Sequence, residues 1–455
     1  MPETSSPSLP RPVAIDLFSG AGGLSLGFEM GGFDVISAVE YDPVHAATHL
    51  YNFPLTDTLC RDVRQLSAED LRSSARRGWR NHNPEAEEWD GALDVLIGGP
   101  SCQGFSVMGK QDEDDDRNRL IFEFVRFVEE LRPKMFVMEN VPGFLGARFS
   151  ELRKEAFDRL QAAGYQITGT DKTLLATDYG VPQKRRRVVV VGSRTGTSPM
   201  SPTRTVDVPV TVAEAFLGLP DLDDYADLGV DQVILSDLDR NRLINLRNPY
   251  LNSLYSESAG YLAHPRVQDN KVLTGCKVTV HKSTSIERFE ATAQGAVESV
   301  SRAYRLDESK PALTLRAGTG RERGAFSASR PLHPRSPRVI TVREAARLHS
   351  FPDWFRFHTT NWHGHRQIGN AVPPLLARAV AASILDALSL DARAVNRTAV
   401  TIGQAALLSM SPTTAAQWFE ADDDEVPRTR ARQQKDRKGQ IDYSSAQSVG
   451  ERFVA

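Results

Sequence analysis

Between Val13 and Gly192, short apolar runs alternate with stretches of helical periodicity. Val13–Phe18, Val35–Val39, Leu93–Ile97, Met135–Met138 and Val188–Val191 read as strands, and a possible further strand ends near Asp62. Helices are predicted from about Leu24, after Pro43, over Leu120–Leu131 and over Phe149–Ala163. Runs that are apolar throughout, rather than at every second position, belong to strands covered on both faces. Their alternation with helices predicts an α/β fold, a Rossmann-like, mostly parallel sheet. Ligands of such sheets sit at the carboxyl ends of the strands, so the residues after each strand carry the functional argument.

The alternation stops near Ser193. Residues 193–263 hold 5 Lys/Arg against 10 Asp/Glu, whereas residues 264–338 hold 14 against 7, with three histidines. The second half suits a phosphate-facing surface, and a solvated basic face explains it as well. Helical signal returns from Val339 to Leu388. Thr341 with Glu344 forms a capping-box pattern. Pro373 and Pro374 then open a helix with Leu376, Val380, Ile384 and Leu388 along one face. The expected divisions are a disordered 1–12, a catalytic 13–192, a smaller inserted 193–338, a returning 339–390, and a largely disordered tail 391–455. Within that tail, Thr398–Phe419 carries the signal for one more helix.

At 455 residues the chain is long enough for two to three domains. A formal net charge of -3 excludes a uniformly basic nucleic-acid coat but leaves room for a local basic face. Cys60, Cys102 and Cys276 match neither zinc spacing nor a disulfide framework, so no metal is expected and a reducing, cytoplasmic setting is. The opening MPETSSPSLPRP has no apolar stretch of a secretory signal, and no run was expected to reach membrane-spanning length.

The first strand runs into Phe18-Ser19-Gly20-Ala21-Gly22-Gly23, where glycines permit a sharp turn and close approach to a ligand. Glu40 closes the second strand, placed to accept hydrogen bonds from ribose hydroxyls. Together they point to a nucleoside cofactor; a tight turn with a surface glutamate is the plainer alternative. After the fourth strand comes Gly98-Gly99-Pro100-Ser101-Cys102, a thiol in a constrained, polar loop and a candidate nucleophile. The acidic run Asp112–Asp116 beyond it suits a lid or a solvated loop equally. Glu139, closing the fifth strand, reaches the same sheet edge and can serve as an acid or hydrogen-bond partner. Gln183-Lys184-Arg185-Arg186-Arg187 precedes the last strand. If strand geometry extends back to Arg185, the Arg185 and Arg187 side chains share a face, suited to phosphate or a base carbonyl.

DLFSGAGG, GGPSCQGFS, ENVPG, Gln183-x-Arg185-x-Arg187 and Arg366-Gln367-Ile368-Gly369-Asn370-Ala371-Val372-Pro373-Pro374, in that order, resemble the DNA (cytosine-5) methyltransferase family in its bacterial single-chain form. The resemblance covers about residues 13–192 and 338–388. It implies the methyltransferase version of the Rossmann-like fold and S-adenosylmethionine as cofactor, lined by Phe18, Gly20, Gly22, Gly23, Glu40, Asp62, Pro100, Asn370 and Val372. It implies Cys102 as nucleophile, Glu139 as the acid contact to the base, and Arg185 and Arg187 flanking that base. Gln183 is expected on the DNA, as are Arg316, Arg321 and Arg323 in LRAGTGRER, within a target-recognition domain at 193–338. Ser101 stands where the family often has proline, which loosens that loop. Duplex DNA, a restriction endonuclease sharing its site and a monomeric state complete the implied picture.

An RNA cytosine-5 methyltransferase and a catalytically dead DNA-binding regulator share the scaffold. The large 193–338 segment favours DNA, and the complete Cys102, Glu139 and arginine set favours an enzyme. An NAD-dependent oxidoreductase accounts for the glycine turn and Glu40 and leaves Cys102, Glu139 and the arginines unused.

Overall fold

The computed structural model describes residues 11–100, 119–197, 201–224, 231–245, 248–255, 262–269, 271–318, 330–390 and 399–421. Among the described residues of the first half, nine strands form: β1 (Val13–Leu17), β2 (Asp34–Glu40), β3 (Asp57–Cys60), β4 (Val95–Gly98), β5 (Met135–Asn140), β6 (Gln166–Thr168), β7 (Thr173–Leu175), β8 (Gln183–Lys184) and β9 (Arg186–Ser193). All but β8 form one sheet, ordered β3-β2-β1-β4-β5-β9-β6, with β7 also on β9. The pairs from β3 to β5 are parallel. β9 runs antiparallel to β5, and β6 and β7 antiparallel to β9. The α/β, mostly parallel expectation holds. The strand order reverses between β1 and β4, which opens a crevice at their carboxyl ends.

The helices are α1 (Gly23–Met30), α2 (Pro43–Asn52), α3 (Ala68–His82), α4 (Leu120–Leu131) and α5 (Ser150–Ala162). Asp42 caps α2 through Val44 and His45 N–H, and Ser67 with Asp70 caps α3. On α4, Ile121, Phe124, Val125 and Val128 are buried at helical spacing. They join one apolar cluster with Ile15, Leu17, Leu96 and Phe136 from one face of the sheet. The other face carries Ala14, Val35, Ile97 and Val137 into a second cluster.

That second cluster is completed from the far end of the chain by α10 (Val342–Leu348), α11 (Asn361–Asn370) and α12 (Pro374–Ala387), which follow α6 (Val212–Phe216), α7 (Asp237–Asn245), α8 (Pro249–Tyr255) and α9 (Ser283–Ala291). The Thr341–Glu344 capping box forms as the sequence predicts. α12 packs on α1 along a seam of small residues. A Cβ on Gly27 would lie 2.2 Å from that of Ala377, and one on Gly31 2.5 Å from that of Ala381. Among the described residues, Asn361–Ala387 alone is long and apolar enough to cross a membrane, contrary to the sequence expectation; it is mostly buried and breaks into α11 and α12.

Among the described residues of 194–338 the elements are short, including β10 (Val233–Ile234), β11 (Arg266–Val267), β12 (Val272–Leu273) and β13 (Ala312–Leu313). Their small clusters around Leu273 and Phe289 are separate from the main core, while Tyr250, Leu306 and Leu315 belong to it.

Both chain ends depart from expectation. Arg11, assigned to a disordered start, is buried against Asp34 at 2.8 Å and donates to Leu262, Glu29 and Phe33 carbonyls. The tail assigned largely to disorder contains β14 (Val400–Thr401), paired with β11, and the helix signalled within Thr398–Phe419 is α13 (Pro412–Trp418). Leu407, Leu408, Met410 and Ala415 cover Ala47 and Tyr51 of α2. Asp34, His82 and His264 have metal-ligand spacing. The Arg11 guanidinium already holds that Asp34 carboxylate, so a divalent cation there would meet a fixed positive charge, and the group is a buried ion cluster.

Candidate active site

The loop after β1 is shaped by backbone conformation before any side chain acts. Phe18, Gly20 and Gly22 have φ of 62°, 58° and 99°. A left-handed φ at a bulky, non-glycine residue such as Phe18 is a real outlier, held in place by its surroundings. A Cβ on Gly22 would meet the Phe53 ring at 2.3 Å, and one on Gly23 the Val372 carbonyl oxygen at 2.4 Å. At Gly20 a Cβ would face open space. The loop is thus pressed from behind by α2 and by the returning segment, and open in front.

Glu40 pins this loop. Its Oε2 accepts from Gly20 N–H and its Oε1 from Asp42 N–H, each at 2.8 Å. Burial pushes the Glu40 carboxyl above its ordinary range. Below the loop, Asp16 Oδ2 accepts from Ser25 Oγ at 2.5 Å, and Ser25 Oγ lies 3.0 Å from His49 Nε2. Burial raises the Asp16 carboxyl to about 7. Asp62 caps a short turn and is gripped by the Arg64 guanidinium. Asn370 is exposed and Val372 buried beside the loop, so the far C-terminal segment does reach the glycines.

One sheet edge further, Gly98 and Gly99 permit close approach of β4 to its neighbours. A Cβ at Gly98 would lie 2.7 Å from the Leu17 oxygen, and one at Gly99 3.0 Å from Glu139 Oε2. The described chain pauses at the buried Pro100; Cys102 and the Asp112–Asp116 run lie outside the described residues. Glu139 Oε1 is 2.5 Å from Arg187 Nε, with both side chains nearly buried.

Arg185 and Gln183 are corrections. Arg185 is 1% exposed and donates to the carbonyls of Leu315, Gly369 and Ala371 at 3.0, 2.8 and 3.0 Å. Three of its N–H groups go to these carbonyls and Nε finds no partner among the described residues, so the side chain is buried as a clamp between segments, where the family pattern implied a contact to the base. Gln183, expected on DNA, is fully buried. It accepts from Leu315 N–H and donates to the Leu348 carbonyl, with His349 Nδ1 at 2.9 Å. Their shared work is to join three chain segments. His349 belongs to this junction and, as an isolated histidine, carries no local signal; Asp16 opens the DLFSGAGG motif, but its buried bond to Ser25 is not readable from the motif.

The charge count in 264–338 also overstates the free basic face. Arg266 is buried on Glu29, Arg305 on backbone carbonyls, and Arg338 between Asp223 and Glu344. Arg316 is exposed; Arg321 and Arg323 lie outside the described residues.

Residues 13–386 match the family model for C-5 cytosine-specific DNA methylase. The chain is 43% identical over 410 residues to the Type II methyltransferase M.XorII of Xanthomonas oryzae pv. oryzae, covering 90% of this chain and 92% of that one. It is 33% identical to the Type II methyltransferase M1.HphI of Haemophilus parahaemolyticus, covering 82% and 86%. Among solved structures, a putative DNA modification methyltransferase encoded within an Escherichia coli prophage superposes with a TM-score of 0.65 at 34% identity, covering 83% of this chain and 99% of that one. The Schizosaccharomyces pombe Dnmt2 methyltransferase, at 14% identity and a TM-score of 0.51, shares the fold.

Proposed function

We propose that this chain, which belongs to the C-5 cytosine-specific DNA methylase family, takes its methyl group from S-adenosylmethionine and delivers it to a cytosine swung out of duplex DNA, through a covalent adduct of Cys102. The observation that carries the reading is the Glu139–Arg187 pair seated against the Gly99 loop that leads to Cys102.

Carbon-5 of cytosine is a weak nucleophile while the ring is aromatic. The Cys102 thiolate adds to carbon-6, which breaks aromaticity and gives carbon-5 enamine character. The thiolate is the reactive form of cysteine, and the Arg187 guanidinium at this edge favours it. Glu139, held in orientation by Arg187, accepts from the exocyclic amine with one oxygen and, carrying a proton on the other, donates to ring nitrogen 3, where negative charge develops. Carbon-5 then takes the methyl group as its bond to the cofactor sulfur breaks, and loss of the carbon-5 proton expels Cys102 as thiolate and restores the ring. Extruding the base costs a few kcal/mol of unstacking.

The cofactor fits the β1 edge. Gly20 opens onto free space, Gly22 and Gly23 leave no room for side chains behind, and the Glu40 carboxylate is fixed at the loop with lone pairs for ribose hydroxyls. When bound, S-adenosylmethionine supplies the methyl group as an electrophile. Phe18, Asp62, Pro100, Asn370 and Val372 complete its pocket. The exposed Arg316 contacts DNA within a recognition region spanning 193–338, and a cognate endonuclease shares the site, as the relatives' Type II names suggest.

The test is a duplex carrying 5-fluorocytosine at the target, which blocks the release step. Mass spectrometry should map the trapped crosslink to Cys102. Cys102→Ser should abolish trapping and methyl transfer while retaining DNA binding. A crosslink elsewhere, or normal turnover by the serine variant, would overturn the adduct.

A further inference from the structure

The Arg185 guanidinium sits between two chain segments that face different substrates. One is Leu315, whose carbonyl it binds at 3.0 Å and whose N–H is held by Gln183 Oε1 at 2.9 Å. Leu315 is therefore clamped at both of its backbone groups by the side chains of one short stretch. Its neighbour Arg316 is exposed. Around it, Ala312 and Leu313 pair with Gln183 and Lys184, and Thr314 Oγ1 donates to the Lys184 carbonyl at 2.6 Å. The other segment is Gly369–Ala371, where the Gly369 and Ala371 carbonyls both accept from Nη2, at 2.8 and 3.0 Å. The next residue, Val372, sits directly behind Gly23 of the open glycine loop.

The two segments also touch each other. A Cβ on Gly369 would lie 2.3 Å from Ala317 N, so the two backbones are packed closely against each other. His349 closes the ring: its Nε2 lies 2.9 Å from the Ala371 oxygen and its Nδ1 2.9 Å from Gln183 Nε2. Burial keeps His349 neutral at physiological pH. Neutral histidine with Nε2–H donating to Ala371 accepts from Gln183 at Nδ1. The planar fork of arginine is rigid and, once buried, cannot trade lost partners for water. A displacement of either segment by about 1 Å would break these bonds.

We propose that Arg185, with Gln183, is a positioning residue that couples the cofactor pocket to the DNA-reading segment, so that occupancy of one raises affinity for the other. This rests on the proposed cofactor and DNA reading. Coupling between two sites is reciprocal by thermodynamic necessity. A ligand that orders 369–372 against the glycine loop fixes the carbonyls that orient Arg185, and Arg185 fixes Leu315.

The experiment measures the calorimetric Kd of S-adenosylhomocysteine, alone and with a saturating duplex bearing the cytosine site mapped by sequencing DNA from cells that express the protein. Wild type should bind about tenfold tighter with the duplex. In Arg185→Lys and Gln183→Leu that ratio should fall to near one, while Kd in the absence of DNA changes by less than about threefold. Hydrogen exchange on wild type needs no variant to fold: S-adenosylhomocysteine alone should slow exchange across 312–318. Wild-type coupling retained in folded variants, a wild-type ratio near one, or unaltered exchange at 312–318 each overturns the inference. A wild type that does not bind S-adenosylhomocysteine at all would instead remove the cofactor reading on which it stands.

Discussion

Arg187 Nε lies 2.5 Å from Glu139 Oε1, with 11% and 13% of the two side chains exposed. The pairing crosses two antiparallel strands: Glu139 of β5 faces Val189 of β9, two residues beyond Arg187. An arginine two positions back on the same face is within diagonal reach of its cross-strand neighbour. The sheet register thus aims the carboxylate at the edge where β4 ends.

Glu139→Gln should lower kcat by roughly 10²- to 10⁴-fold, the range for losing a positioned acid–base group. Arg187→Gln should fall in the same range, because it removes the group that orients Glu139. The double variant should lose much less than the product of the two, since the residues act as a unit. Single-turnover methylation with tritiated cofactor checks this; full additivity would separate the two roles.

Gly23→Ala should disrupt the cofactor pocket. Its Cβ would lie 2.4 Å from the Val372 oxygen and 2.9 Å from the Ala371 Cβ, both on a packed segment. Overpacking of this kind costs about 1–3 kcal/mol. Thermal unfolding should show that loss, and the KM for S-adenosylmethionine should rise because Val372 is displaced. An unaltered KM would show that the returning segment does not line the pocket.

How much of this was readable in advance follows from what each motif depends on. The glycines, Glu40 and Glu139 were legible because a strand followed by a special residue puts that residue at the sheet edge whatever the rest of the chain does. Gln183, placed by the family pattern alone, misled, as did Arg185, placed by strand alternation, which tells which face a side chain takes and not what covers that face. Leu315, Gly369 and Ala371 cover it, from 130 to 186 residues away. The cations of 264–338 misled likewise, since Arg266, Arg305 and Arg338 find buried partners that a charge count cannot foresee. Arg11 looked like part of a proline-rich arm because its partner Asp34 belongs to β2.

Asp16 gives a pH signature. Burial, with a smaller contribution from Glu40, raises its carboxyl from 3.8 to about 7 against the Ser25 hydrogen bond. A folded-state pKa above the unfolded one means that the native state holds the proton more tightly. The stabilisation from this group is complete below about pH 4 and is lost as pH rises toward and through 7, up to about 4 kcal/mol in all. Asp16→Asn cannot ionise, so its stability relative to wild type should improve steadily from pH 4 to pH 8. Melting temperatures of both proteins across that range provide the measurement. A constant difference would show that Asp16 does not titrate there.

The tail between 399 and 421 should prove part of the enzyme's working fold. Gly403 N–H donates to the Tyr51 carbonyl at 2.9 Å, and Thr359 N–H to that of Leu408 at 2.9 Å. Leu407, Leu408 and Met410 are buried on α2, and each large apolar side chain so buried contributes roughly 1.5–3 kcal/mol. α2 is capped by Asp42, whose own N–H is held by Glu40. Loosening the helix therefore loosens the carboxylate that fixes the glycine loop. A chain ending at residue 398 should melt several degrees lower and show a raised KM for S-adenosylmethionine, whereas one ending at residue 421 retains every one of these contacts and should match the full chain in both. If the shorter chain kept the full chain's KM while losing stability, the tail would be a brace for α2 with no hold on the cofactor loop.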